Sequence, residues 1–151
     1  MKRIPKYSII SDAEIGVGTV VHDQVNLYKC KIGKNCKIDS FVYVEEDVVI
    51  GDNCKIRPFV FIPTGVTIED EVFVGPNVTF TNDKYPKVRG TWQLLKTVIK
   101  QGTSIGANSV VLPGITVGKN ALIGAGSVVT EDIPENAIVA GNPGKIIGYK
   151  K

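Results

Sequence analysis

Apolar residues return every six positions through most of this chain, and that period excludes most ways of folding it. The segments IGVGTV (15–20), VHDQVN (21–26), IGKNCK (32–37), IDSFVY (38–43), VEEDVV (44–49), IGDNCK (50–55), IRPFVF (56–61), IPTGVT (62–67), IEDEVF (68–73) and VGPNVT (74–79) run in series. One segment, Leu27–Lys31, is a residue short. The rhythm stops after Phe80 and resumes at Ile99 with IKQGTS, IGANSV, VLPGIT, VGKNAL, IGAGSV and VTEDIP. No amphipathic helix has a period of six. Alternation inside each hexad, with Gly-Lys-Asn or Gly-Asp-Asn between hexads, predicts very short strands joined by tight corners.

Strands this short bury little alone, so the hexads must stack as coils of a solenoid. Three hexads per coil place residues 18 apart above one another. The expected inward ladders are Ile32–Ile50–Ile68, Ile38–Ile56–Val74 and Val44–Ile62–Phe80. Similar side chains fall on each ladder, as a triangular prism of about six coils requires. Cys36 and Cys54, both at the fifth hexad position, read with Cys30 as small packing residues, since no metal-type spacing links them.

The hexapeptide pattern is similar to that of the left-handed β-helix acyltransferases and covers nearly the whole chain. The resemblance implies an all-β, left-handed parallel β-helix, a homotrimer, and active sites between neighbouring prisms. The left hand comes from the resemblance alone, because strand-crossover rules favour the right hand. Within the superfamily, IEDEVFVGPNVTFTNDKYP (68–86) followed by VIKQGTSIGANSVVLPGITVG (98–118) resembles the N-acetyltransferases that act on nucleotide-linked 3-amino sugars. FTND followed by Pro and a basic residue carries that narrower likeness. IGANS, LPG and IGAGSVVT speak only for acyl transfer from CoA. The resemblance thus implies acetyl-CoA as donor and a UDP- or dTDP-linked amino sugar as acceptor, without a metal.

Where the repeat breaks, about 13 residues are inserted, over roughly 83–98. With their flanks they carry Lys84, Lys87, Arg89, Trp92, Lys96 and Lys100. Such a loop is either a solvated excursion or an arm over a neighbouring subunit, with basic groups for phosphates and Trp92 as anchor. Asn82 and Asp83, at its root, are the candidate catalytic pair. A thioester needs no strong base when the nucleophile is a neutral amine, so positioning the amine and stabilising an oxyanion suffice. They equally suit a turn leaving the coil. One coil below Asn82 stands Thr64, a substrate-side candidate where similar enzymes often carry an acid; Lys87 stands where Arg is expected.

Backbone N–H groups at Gly106 and Ala107, with Ala125, Asn142 and Lys145, match superfamily-like CoA contacts. The donor would then lie in the C-terminal half and the acceptor in the N-terminal half. The small residues also suit corners sterically. His22, the single histidine, lies 3⅓ coils, or about 16 Å, below Phe80. That distance argues against a histidine base at Asn82 and hence against O-acetylation, while leaving His22 for the nucleotide end of an acceptor. One histidine also excludes a three-histidine metal site of the γ-carbonic anhydrase kind. The tail, about 135–151, leaves the hexad pattern through Gly-Asn-Pro-Gly, resembling the GNPAK-type segment with Gly144 for Ala.

At 151 residues and net charge +3, the chain reads as one domain over 1–151, with too little basic excess for nucleic acid. No apolar run spans a membrane, and MKRIPKYS opens no signal-peptide core, so the expected location is cytoplasmic. Two other readings stay open: a hexapeptide acyltransferase for another acceptor (a hydroxyl or a 4-amino sugar), and a non-catalytic assembly subunit.

Overall fold

A computed structural model describes residues 5–151; the MKRI of the leader reading lies outside the described residues. Three parallel sheets form the sides of a triangular prism. Face A holds Ile9–Ser11, Asn26–Tyr28, Tyr43–Val44, Phe61–Ile62, Thr79–Phe80, Val110–Val111 and Val128–Val129. Face B holds Glu14–Ile15, Lys31–Ile32, Val49–Ile50, Val66–Ile68, Thr97–Ile99 and Thr116–Val117. Face C holds Val20–Val21, Lys37–Ile38, Lys55–Ile56, Phe73–Val74, Ser104–Ile105, Leu122–Ile123 and Ala137–Ala140, with Lys145–Tyr149 added antiparallel. The chain passes from A to B to C at three corners, called AB, BC and CA. The architecture is that of a parallel β-helix and is consistent with left-handed winding.

Face A has seven levels, one more than about six. The extra coil comes from both ends. Ile9–Ser11 already pairs with Asn26–Tyr28, and Ala137–Ala140 still pairs with Leu122–Ile123, so the tail leaves the prism only at Gly141. The three expected ladders form: Ile32–Ile50–Ile68, Ile38–Ile56–Val74 and Val44–Ile62, with Phe61 facing Thr79 beneath Phe80. The short segment registers as a slip, since Ile15 pairs with Ile32 at 17 residues and Ile32 with Ile50 at 18. Ile68 pairs with Ile99, 31 residues on instead of 18, so 13 residues are extra. They leave at Thr81 and return at Thr97, not Ile99, because Thr97 and Val98 already pair with Val66 and Thr67.

The corners explain the rest of the hexad. Its fourth residue takes a left-handed φ in every full hexad but the last, as at Asn35 (54°), Asn53 (58°), Asn77 (59°) and Asn108 (60°), which is why Asn and Gly recur there. At BC the fifth residue tethers the corner. Thr19 Oγ1 donates to the Gly33 carbonyl at 2.6 Å, and the Cys36 and Cys54 thiols donate to Gly51 and Glu69 carbonyls at 3.1 Å each. The three cysteines are free and buried, as their packing role requires, and burial pushes the Cys30 thiol upward.

Lys100 belongs to this BC corner and not to the insert. Its Nζ lies 2.9 Å from Glu69 Oε1, and Glu69 Oε2 accepts the Gln101 N–H at 2.9 Å. The Lys100 bond, chiefly, holds the Glu69 carboxyl below its ordinary value. A depressed carboxyl stabilises the fold above the ordinary glutamate range and loses that contribution as pH falls through its folded value. Lys100→Met is therefore expected to cost up to about 1 kcal/mol at pH 7 for a partly exposed pair. Urea denaturation at pH 7 and again below the glutamate range should show this difference shrinking.

Candidate functional site

Asn82 sits at the AB corner above Thr64, Glu45 lies one coil lower and one residue off the Thr64 ladder, and a column of hydrogen bonds joins the three. The Thr64 N–H donates to Glu45 Oε2 at 2.9 Å, and Asn82 Nδ2 donates to the Thr64 carbonyl at 3.0 Å. With Nδ2 committed, Asn82 presents Oδ1 as an acceptor. That is the polarity needed to take an amine N–H and leave the nitrogen lone pair for attack. Both links through Thr64 are main-chain. A carboxylate thus does occur in this column, but one level lower, at Glu45. Sequence reading missed it because the interaction depends on a side chain reaching up to a backbone N–H of the next coil.

The insert closes above this column. The Leu95 N–H reaches the Asn82 carbonyl at 3.4 Å, and the Thr97 N–H reaches the Gly65 carbonyl at 3.0 Å. Leu94 lies over Gly65, where a Cβ would stand 2.8 Å from Leu94 Cδ1 and where φ is +93°, so glycine is needed on both counts. Asp83 forms the turn, its Oδ1 accepting the Tyr85 N–H at 3.0 Å, with its second oxygen left for other partners. The insert folds round a pocket of about 350 Å³ lined by Asp83, Lys84, Tyr85, Lys87, Trp92 and Leu95, among others. Lys84, Lys87 and Trp92 are thereby brought together; Arg89 and Lys96 are exposed outside the lining.

The donor-side candidates occupy a different corner. Gly106, Ala107 and Ala125 lie at CA, separated from Asn82 within one chain by face A. In height, Asn82 falls between Gly75 and Gly106. The Gly106 N–H is not available as an oxyanion donor, because it already donates to the Ile123 carbonyl at 2.8 Å. The Ala107 and Ala125 N–H groups have no acceptor among the described residues and are free for a ligand. Gly106 is small for packing, since a Cβ there would strike the Ala125 backbone. In the tail, the Asn142–Pro143 bond is cis, Gly144 N–H donates to the Val128 carbonyl at 2.7 Å, and exposed Lys145 stands 3.7 Å from Glu131.

His22 also lies at CA, four levels below Gly106 in the same column. Its Nε2 is 3.7 Å from Asp39 Oδ1, far from Asn82. Asp39 is buried and also holds Arg57 (2.7 Å) and Lys37 (3.6 Å). Sequence reading singled out neither Asp39 nor Arg57, because the second hexad position is often acidic as well as Gly and a lone Arg there forms no motif. Among the described residues no group of three or more His, Cys, Asp or Glu is gathered as a metal site.

Residues 29–64 and 96–131 match the bacterial transferase hexapeptide (six repeats) family. The chain is 56% identical over 54 residues to a dTDP-3-amino-3,6-dideoxy-alpha-D-galactopyranose 3-N-acetyltransferase of Aneurinibacillus thermoaerophilus, a match covering 36% of this chain and 28% of that one. The chain therefore spans well under half the length of that relative. Its fold is similar to that of AntD, an N-acyltransferase of Bacillus cereus solved with dTDP and coenzyme A. That likeness has a TM-score of 0.74 at 21% identity and covers 96% of this chain and 84% of the other. It is also similar to a galactoside acetyltransferase solved with coenzyme A, with TM-score 0.66 and 28% identity over 95% of this chain and 65% of the other.

The column makes a direct prediction. Glu45→Ala strands the Thr64 N–H and is expected to cost about 1 kcal/mol. Thr64→Ala leaves both main-chain links in place and should stay within roughly 0.5 kcal/mol of the parent. Chemical denaturation of the two variants side by side checks it.

Proposed function

From a chain whose two blocks of coils are bacterial transferase hexapeptide repeats, we propose an acetyl-CoA-dependent N-acetyltransferase acting on the amino group of a nucleotide-linked 3-amino sugar. The observation that carries this reading is the tethered Asn82. Its amide oxygen is fixed as an acceptor at the one break in the scaffold, with no histidine near it. The acceptor's neutral amine attacks the thioester carbonyl carbon. An N–C bond forms, the C–S bond breaks, and the departing thiolate takes up the proton the amine gives. Asn82 Oδ1 accepts one amine N–H and aims the lone pair, so the gain comes from orientation and not from a base. Ala107 and Ala125 N–H groups are the donors to the oxyanion or to the pantetheine amides. Local likeness to a dTDP-3-amino sugar 3-N-acetyltransferase supports the acceptor class, with dTDP or UDP as carrier.

Donor and acceptor groups lie on two corners that flank face A, so a complete site needs two copies. Down the middle of face A run Ile9, Asn26, Tyr43, Phe61, Thr79, Val110 and Val128, none of them charged. The corresponding lines on B and C begin with Glu14, Lys31 and with Val20, Lys37, Lys55. Three prisms with parallel axes and face A inward close as a ring. Each AB corner then meets a neighbour's CA corner at matching height. The insert's pocket, with Lys84, Lys87 and Trp92, overhangs that groove, and Arg89 is within the same arm. A cytoplasmic role in surface-glycan synthesis follows from the acceptor class.

A second reading, transfer to a sugar hydroxyl, is favoured by the likeness to the galactoside acetyltransferase. It requires a base that the Asn82 column does not supply. Thiol release from acetyl-CoA with panels of amino sugars and of plain sugars separates the two. The expected result is turnover only with nucleotide-linked 3-amino sugars, and a loss of roughly a hundredfold in kcat on Asn82→Ala. Turnover with plain galactosides, or an unaffected Asn82→Ala variant, would overturn the proposal.

A further inference from the structure

The CA corner changes character at Gly75. Reading down the register-paired strands from the top, its second hexad positions are Gly124, Gly106, Gly75, Arg57, Asp39 and His22. Its fourth positions are Gly126, Asn108, Asn77, Phe59, Phe41 and Gln24. Above Gly75 the corner is small and offers N–H groups. Below it, guanidinium, carboxylate, imidazole and two phenyl rings occupy positions that hold Gly or Asn at this corner from Gly75 upward. None of the residues below Gly75 has a part in acyl transfer.

Two details of this lower half bear on a ligand. Asp39 is 6% exposed, yet faces Lys37 and Arg57, so two fixed cations stand against one carboxylate. The Asp39–Arg57 contact of 2.7 Å uses one guanidinium nitrogen and pins the rest of the fork. The Arg57 side chain is 36% exposed, its other guanidinium N–H groups have no acceptor among the described residues, and a phosphate oxygen is what such a fork recognises. Beside it, Phe41 and Phe59 stack with ring centroids 4.8 Å apart and planes 4° apart. They are 46% and 56% exposed, so they fill no core. Each also holds a φ of 64°, a conformation that a bulky side chain resists and that Asn or Gly would take freely. Two exposed rings kept in a disfavoured conformation, against a pinned guanidinium with free donors, need an occupant that rewards both.

We propose that this lower half of the CA corner binds a nucleoside diphosphate, with Arg57 on the diphosphate and the Phe41–Phe59 stack against the base. The assignment rests on the proposed function, since it places the carrier half of the acceptor below the donor half on one continuous corner. Arg57 lies two coils below Gly106, about 10 Å, a span suited to a sugar between thioester and diphosphate. Stacking offers a face to any base, so uracil and thymine are both accepted. Lys37 adds a second cation, and His22 lies one level below Asp39 on the same corner.

Calorimetric titration of the full chain with UDP, dTDP and inorganic pyrophosphate, without acetyl-CoA, tests the proposal separately from acyl transfer. UDP and dTDP are expected to bind within a few-fold of each other. Phe59→Asn should weaken both by roughly tenfold, leave pyrophosphate unchanged, and leave the thermal midpoint equal or higher, because Asn suits the left-handed φ. Arg57→Gln should weaken all three. Unchanged nucleotide binding in Phe59→Asn overturns the proposal. So does a loss that appears only together with a smaller oligomeric mass by light scattering, which would make the rings subunit packing. If nucleotides bind as expected but no amino sugar is acetylated, the proposed function fails and the nucleotide corner stands; acetylation that proceeds with Phe59→Asn binding unimpaired gives the reverse.

Discussion

Every coil hangs on the one beneath it through main-chain hydrogen bonds in a definite register, 17 residues apart at the bottom, 31 across the coil with the insert, 16 at the top and 18 elsewhere. A single extra residue within a strand would turn its inward Ile or Val to the outside. Extra chain can therefore leave only at a corner and must return to the same one. The 13-residue insert does so: Leu95 bonds back to Asn82 and Thr97 to Gly65, and pairing resumes in register. The register also explains why Asn82 suits the role proposed for it. It is the last residue held by the coil below before the chain departs, anchored on one side and open on the other.

The same regularity forces the proposed site to be shared. A prism wall is one residue deep, with inward side chains fully buried, such as Ile56, Ile62 and Phe80. No cleft can open through it without emptying the core. In the proposed ring, grooves form between prisms, and the residues that face each other across a groove come from different corners of different copies. Asn82 at AB and Ala107 at CA are such a pair, and the uncharged midline of face A between them is the surface that self-association would cover.

The ladders, the one-residue slip and the length of the insert were legible because each is a matter of counting, and counting fixes register in a solenoid. The fourth-position Asn and Gly were legible as corners for the same reason. What counting does not reach is the direction of individual polar groups. Glu45 bonds to a backbone N–H one coil up and one residue past its own ladder, so no spacing rule marks it. Gly106 looks like an oxyanion donor by residue type, but its N–H belongs to the inter-coil ladder, whereas the neighbouring Ala107 escapes that ladder. Ala137–Ala140 carried no hexad signature yet pairs in parallel, because main-chain bonding tolerates sequences that the periodic pattern does not.

Two ionic clusters occupy equivalent second hexad positions, and their difference separates scaffold from site. At BC, Glu69 uses one oxygen on Lys100 and the other on the Gln101 N–H, so one carboxylate balances one ammonium and both its oxygens are bonded within the corner. Such a pair closes on itself and modestly stabilises the coil stack. At CA, buried Asp39 meets Lys37 and Arg57 together, so the cluster carries a surplus positive charge and a guanidinium with donors to spare. The neighbouring fourth positions tell the same story: Glu71 at BC is a surface residue, whereas Phe41 and Phe59 at CA expose apolar rings in a left-handed backbone. A corner needs neither surplus charge nor exposed rings to fold, since Gly and Asn build the same turn elsewhere in this chain. Both departures share one corner, below the level of the insert, and that coincidence is what a ligand with an anionic middle and an aromatic end would select.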